Sequence, residues 1–209
     1  MGDVSGVGTD RENPVHEVCV NDFYLGKYEV TQREWVEIME SNPSNHKLCD
    51  DCPVEQVSWS DIRKFIIKLK EKTGKKYRLP REAEWEYAAR SGGKNEIWSG
   101  TSDEIELDDY AWYEDNSSDA THPVGQKEPN GLGIYDMSGN VWEWVWDRYD
   151  PEYYGSSPKD NPKGSLNGDN RIIRGGSWYW DALSLRTTYR YDIEPTRSYR
   201  GTGFRIALS

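Results

Sequence analysis

The chain has 209 residues and sets 37 Asp and Glu against 26 Lys and Arg, a formal net charge of -11 at pH 7. That balance makes nucleic acid a poor electrostatic partner. No apolar run approaches the roughly 18 residues of a membrane span, so no membrane insertion is expected either. There is no basic-then-apolar leader and no internal repeat, and the length suits one soluble domain over 1–209.

Only 35% of the residues are apolar, yet 10 Trp and 14 Tyr stand beside 3 Phe. Much of the hydrophobic area therefore comes from amphipathic rings, as in a loop-rich domain with Trp-filled layers or in a binding surface. The cysteines number three, Cys19, Cys49 and Cys52. An odd count does not describe a disulfide framework.

In chain order, Val15 to Val20 alternates like a strand, and a second strand follows at "FYLGKYEV". Thr31-Gln-Arg-Glu34 is a capping box, and Trp35, Ile38 and Met39 continue it as an apolar helical face. His46-x-x-Cys49-Asp-Asp-Cys52 has the outline of a zinc half-site but lacks a fourth ligand, so it reads as a pair of loop cysteines, reduced or bonded. Ser58-Trp-Ser-Asp61 repeats the capping signal ahead of Ile62, Phe65, Ile66 and Leu69, with Gly74 as the stop. Pro80 suits the first turn of a third helix bearing Trp85, Ala88 and Ala89 on one side and ending at Gly92. Beyond residue 92 the helical period disappears, with short strands predicted at "RIIRGGSW" and "GFRIAL". So much irregular backbone needs an ion or dense side-chain networks to hold it.

Six blocks, "FYLGKYEVTQREW", "PVEQVSW", "YRLPREAEWEYAAR", "PNGLGIYDMSGNVWEW", "IIRGGSW" and "GFRIAL", stand in the order found in the formylglycine-generating enzyme, or sulfatase-modifying factor, family. The resemblance runs from Val15 to Leu208. It implies an α+β, C-type-lectin-like fold with a small antiparallel sheet, few helices and high irregular content.

In the enzyme, the segment that begins RGGS carries two copper-binding cysteines, three residues after the Ser and five further on. Here those places hold Trp180 and Leu185. Neither supplies a thiolate, so no copper and no catalytic residue is expected. Ser177 keeps the family's site serine, but a serine without a positioned base is a weak nucleophile. The iron-dependent use of this fold needs a separate helical domain, and His16, His46 and His122 do not replace it.

The resemblance also implies a structural calcium ion, held by the side chains of Asp136 and Glu143 and the carbonyls of Gly139 and Val141. Hard oxygen ligands on an irregular loop suit calcium. Asn116 is carried over to a second such site. The competing reading is a Trp-rich turn in which Asp136 and Glu143 cap backbone amides without an ion.

From Arg171 onward, Gly175, Gly176, Ser177, Arg186, Arg190, Pro195, Arg197, Gly203, Phe204 and Arg205 look like framework. Between them stand Tyr179, Trp180, Asp181, Leu183, Ser184, Tyr191, Asp192, Ile193, Glu194, Thr196, Ser198, Tyr199, Gly201 and Thr202, which follow no secondary-structure period. They have the vocabulary of antibody-like binding loops. The arrangement resembles the variable proteins of diversity-generating retroelements, in which a fixed lectin-like scaffold presents a diversified C-terminal segment.

The expectation is a non-catalytic protein that binds a protein or cell-surface ligand through residues 179 to 202. An enzyme that uses Ser177, Arg186, Arg190 and Glu143 in a cleft is the first alternative. A structural or assembly component is the second.

Overall fold

The computed structural model describes residues 1–47 and 49–208. Thr31 accepts the Glu34 amide while the Glu34 carboxylate receives the Thr31 amide, and this reciprocal cap starts α1 (Gln32–Met39). Ser58 and Asp61 do the same for α2 (Trp59–Thr73), which stops at Gly74 with φ 72°. The third helix, α3 (Glu82–Ala89), starts later than expected. Arg81 is its N-cap, and Pro80 lies outside, its carbonyl accepting the Trp146 amide at 2.9 Å. Two single-turn helices follow, α4 (Leu107–Tyr110) and α5 (Tyr153–Ser156).

The strands are β1 (Tyr24–Leu25), β2 (Tyr77–Arg78), β3 (Trp142–Arg148), β4 (Arg171–Arg174), β5 (Arg190–Ile193), β6 (Thr202–Gly203) and β7 (Ala207–Leu208). They form a three-stranded antiparallel sheet, β1-β7-β2, and a four-stranded sheet, β5-β4-β3-β6, in which β3 and β6 run parallel.

Two local expectations are corrected. Val15 to Val20 is not a strand: its alternation of exposure is present, but the facing segment offers only a single bridge, Cys19 to Asp160. Conversely, β3 forms where a Trp-rich turn was one reading. Trp142 to Val145 are buried on both faces, so the stretch shows no alternation of apolar and polar residues.

The core joins helices to the large sheet. Trp35 stacks on Phe65 at 5.1 Å, and Phe204 meets Phe65 edge-on. Buried indoles tie irregular segments together: Trp59 donates to the Val145 carbonyl at 3.1 Å, Trp144 to Val57 at 3.0 Å and Trp98 to Ala182 at 2.7 Å. These are the Trp-filled layers that the composition implied.

Buried ion pairs add the networks that irregular backbone needs. Arg190 pairs with Glu82, Arg174 bridges Glu82 and Glu86, and Arg186 pairs with Glu12. No helix among the described residues is long and apolar enough to cross a membrane.

Candidate binding face

After β4 the chain turns at Gly175 and Gly176, with φ of 95° and 75°. A Cβ on Gly176 would sit 2.5 Å from the Leu185 side chain. Only glycine allows the backbone to pass there. The segment after the turn is fixed from inside: the Trp178 amide donates to the Asn140 carbonyl at 2.9 Å, and its indole to the Arg200 carbonyl at 3.2 Å.

Asp181 then caps a 3-10 turn over Ala182–Leu185, its carboxylate accepting the Ser184 amide at 2.9 Å. That turn delivers Leu185 into an apolar cluster with Trp98, Leu107, Ala111 and Tyr113, against which Trp180 also packs. Leu185 has no exposed surface. The two positions at which the enzyme keeps sulfur thus hold side chains that seal the cluster. Ser177 is likewise buried, and its hydroxyl has no hydrogen-bond partner in the protein.

Above this mount lies a row of half-buried rings. Trp180 meets Trp142 edge-on at 5.5 Å and Tyr191 at 5.8 Å, and Tyr179 meets Trp178 at 4.7 Å. Tyr189, which is absent from the expected contact set, joins the row 5.9 Å from Trp142. Arg200, also absent from that set, lays its guanidinium 5.0 Å from the Trp178 ring and 5.3 Å from Tyr179. An Arg beside adjacent aromatics is the signal that points to such a position.

The fourteen expected contact residues divide by burial. Asp181, Leu183, Glu194, Thr196, Ser198 and Tyr199 are exposed, and Tyr179, Trp180, Tyr191, Asp192 and Ile193 are half-buried. Ser184, Gly201 and Thr202 are buried and cannot contact a ligand directly. Ser184 closes the 3-10 turn, Thr202 pairs with Trp142 in β6, and a Cβ on Gly201 would lie 2.3 Å from the Tyr179 ring. Asp192 is committed inward, one oxygen to Asn170 at 2.7 Å and the other to Arg11 at 2.7 Å. Ile193 packs against the main core.

Beside the face, Glu55 is buried, and burial pushes its carboxyl up to about 7, partly offset by the His46 and Asn45 amides that it accepts. Its second oxygen has no partner in the protein. Cys49 and Cys52 are joined as a disulfide, which leaves them no thiolate for zinc, and Cys19 is free and exposed. His122 stacks on Trp112 at 3.7 Å and bonds the Ser117 carbonyl at 2.8 Å.

Asp136 and Glu143 enter one buried acidic pocket with Glu29. Glu29 accepts the Asn140 amide group at 2.7 Å and the Val141 N–H at 3.1 Å, while Asp136 accepts the Gly125 N–H at 2.8 Å. Burial, then the Asp136 and Glu143 charges, holds Glu29 well above the usual carboxylate range. Burial also pushes Asp136 up to about 6. Glu29, Asp136 and Glu143 thus bring three carboxyl groups near the single Arg205 guanidinium, hard oxygen groups of the kind that calcium takes as ligands.

The orientation of Glu143 serves a different partner, since its oxygens accept Arg205 at 2.6 and 2.7 Å and the Trp85 indole at 2.8 Å. Among the described residues no group of three or more His, Cys, Asp or Glu has the geometry to hold a metal. Asn116 belongs to a separate network, bonded to Tyr113, Asp108 and the Ala111 carbonyl.

The alternative catalytic set does not meet in a cleft. Arg186 is bound to Glu12, Arg190 to Glu82 and Glu143 to Arg205, each pair buried.

Comparison with known proteins places this architecture. The chain is 36% identical to a formylglycine-generating enzyme of Streptomyces coelicolor over 175 residues, 74% of this chain and 52% of that enzyme. It is 34% identical to the chaperone protein LppX of Paenibacillus barcinonensis, over 92% of this chain and 82% of the relative. Among solved structures, variable protein 1 of Treponema denticola superposes with a TM-score of 0.91 at 33% identity, over 99% of this chain and 90% of that one. The family model of the sulfatase-modifying factor enzyme 1-like domain matches residues 1–209, and the chain belongs to that family.

Proposed function

We propose that this domain is a non-catalytic binder that uses its C-terminal face to hold a protein or cell-surface ligand. One observation carries the reading: the places of the enzyme's two cysteines are taken by Trp180 and Leu185, and both pack into one apolar cluster. The half-buried rings of Tyr179, Trp180 and Tyr191, edged by exposed Asp181, Leu183, Glu194, Thr196, Ser198 and Tyr199, then form an amphipathic surface on a rigid mount. Such rings give contact area at small entropic cost, and small polar neighbours adapt to the partner. Likeness to a variable protein over nearly the whole chain supports the same reading.

The test is copper(I) titration together with oxidation of a cysteine-containing peptide. Neither stoichiometric copper binding nor peptide aldehyde is expected. Turnover would replace this reading with an enzymatic one. For diversification of the segment, the coding sequence decides: a near-identical repeat that differs only at adenines should stand near the gene.

We also propose a structural calcium ion at the acidic pocket, with Asp136 and the Gly139 and Val141 carbonyls as its ligands and Glu143 shared with Arg205. The buried carboxyl groups support it. At about a hundredfold excess over Kd a bound ion adds about 2.7 kcal/mol of stability, which raises Tm in calcium over chelator by several degrees. An unchanged Tm would remove the ion from this account.

A further inference from the structure

Arg148 at the end of β3 and Arg171 at the start of β4 stand directly opposite each other in the antiparallel register. Arg63, on the second turn of α2, comes to the same place from outside the sheet. The Arg171 guanidinium lies 3.9 Å from the centre of the Trp59 ring and 5.6 Å from that of Trp146, and Arg63 lies 5.5 Å from Trp59. The Trp59 and Trp146 rings are 5.3 Å apart. Trp59 is covered by this stack, whereas Trp146 stays 39% exposed.

None of the three arginines is in an ion pair with a carboxylate among the described residues. Arg148 and Arg171 each donate to one carbonyl, of Gly168 and of Trp146. Guanidinium groups carry five donors each, so most of theirs have no hydrogen-bond partner among the described residues. Like charges directly opposite across a strand pair destabilise it. Burial, with the Arg148 and Arg63 charges behind it, pushes Arg171 down to about 10, and only buried Asp147 pulls the other way. A chain with 37 acids and 26 bases has carboxylates to spare, and yet places none in salt-bridge contact with this trio among the described residues.

We propose that Arg63, Arg148 and Arg171, with the exposed side of Trp146, form a docking site for an acidic polypeptide segment of a partner protein. Planar carboxylates match guanidinium forks bidentately, and Arg and Trp are the residue types that dominate interface energetics. An apolar side chain in the same segment covers Trp146. A long polyphosphate is disfavoured, because it would also face the net charge of -11. The site lies at the opposite end of β3 from Trp142, roughly 20 Å away at the rise of a strand, and adjoins the far edge of the C-terminal segment, where Ile193 stands opposite Arg171.

The experiment measures fluorescence anisotropy of a labelled peptide, Asp-Glu-Ile-Glu-Leu-Asp, against its Asn/Gln counterpart. Saturable binding of the acidic peptide is expected, weakened about tenfold or more by R171Q and by R148Q, as the loss of one bidentate pair requires, and unchanged by Y199A. R148Q should leave Tm unchanged or raise it, because it removes a like-charge contact.

No saturable binding, or equal binding of the neutral peptide, overturns the site. So does a fall in Tm of R148Q beyond that of ordinary surface substitutions, which would make the arginines structural. An oligothymidylate of equal charge that binds more tightly, with the same arginine dependence, overturns the polypeptide assignment. Arginine-dependent self-association of the wild type would replace the separate partner with a second copy.

Discussion

Arg186 and Glu12 meet with almost no solvent contact, Arg186 donating to both Glu12 oxygens at 2.7 and 2.9 Å while Thr188 adds a third bond at 2.6 Å. Burial alone would raise the Glu12 pKa, but the bonds from Arg186, Thr188 and Thr9 outweigh it and hold the carboxyl below its usual value. Removing one partner strands a buried charge. Arg186→Met should therefore cost about 3–5 kcal/mol in urea unfolding, and adding Glu12→Gln should restore part of that loss. A cost in the double variant as large as in the single one would show that packing, not charge, is at stake. Gly176 is constrained differently, by the Leu185 side chain where a Cβ would lie. Gly176→Ala should destabilise by more than about 1 kcal/mol, whereas Leu183→Ala, at a residue 59% exposed, should stay within about 0.5 kcal/mol. Denaturant midpoints compare the two directly.

At the level of elements, a strand buried on both faces serves as the axle of the molecule. β3 pairs with β4 on one side and with β6 on the other, and its indoles fill the space toward the helices. The loops hung from this axle need not be ordered by their own sequence, because backbone bonds from Trp178, Glu114 and Thr202 already anchor them. A tolerance pattern follows from that division. Joint replacement of Leu183, Thr196, Ser198 and Tyr199 should keep thermal unfolding cooperative and within a few degrees of the parent. Asp181→Ala should cost about 1 kcal/mol through its cap, with most of the loss recovered by Asp181→Asn. If the four-residue replacement unfolds the domain, these side chains are framework and do not form a binding face.

Across the whole molecule, two sets of buried carboxylates pull stability in opposite directions with pH. Burial, then the Glu82 charge, pushes Asp147 up to about 7, and burial pushes Glu55 to about 7 as well. Folded, both hold their proton more tightly than the unfolded chain does. Their contribution is complete below the ordinary carboxylate value near 4 and is lost as pH rises through about 7. Glu12 and Glu86 behave conversely. Arginine partners outweigh burial and lower both, so their contribution is present above that ordinary value and is lost as pH falls through their depressed values. Tm should therefore peak at roughly pH 5 and decline toward pH 8. Asp147→Asn should flatten the decline on the alkaline side. A Tm that rises steadily to neutrality would contradict the assignment for Asp147.

Whatever depends on neighbours along the chain was legible without a fold. The caps at Thr31 and Ser58 and the stop at Gly74 satisfy backbone groups within a few residues, so α1 and α2 could be placed from sequence. The absence of sulfur at positions 180 and 185 is equally a property of the sequence, since no packing turns Trp or Leu into a thiolate. Other features were hidden because they depend on contacts remote along the chain. β3 gives no alternating pattern because both of its faces are covered. Asp192 reads as a contact residue until Asn170 and Arg11 take its two oxygens, and small polar residues such as Ser184 and Thr202 carry no mark of their burial. Arg63, Arg148 and Arg171 are unremarkable in isolation. Only the register of β3 on β4 and the packing of α2 bring these like charges together, because the work of gathering them is done by burial of Trp59 beneath.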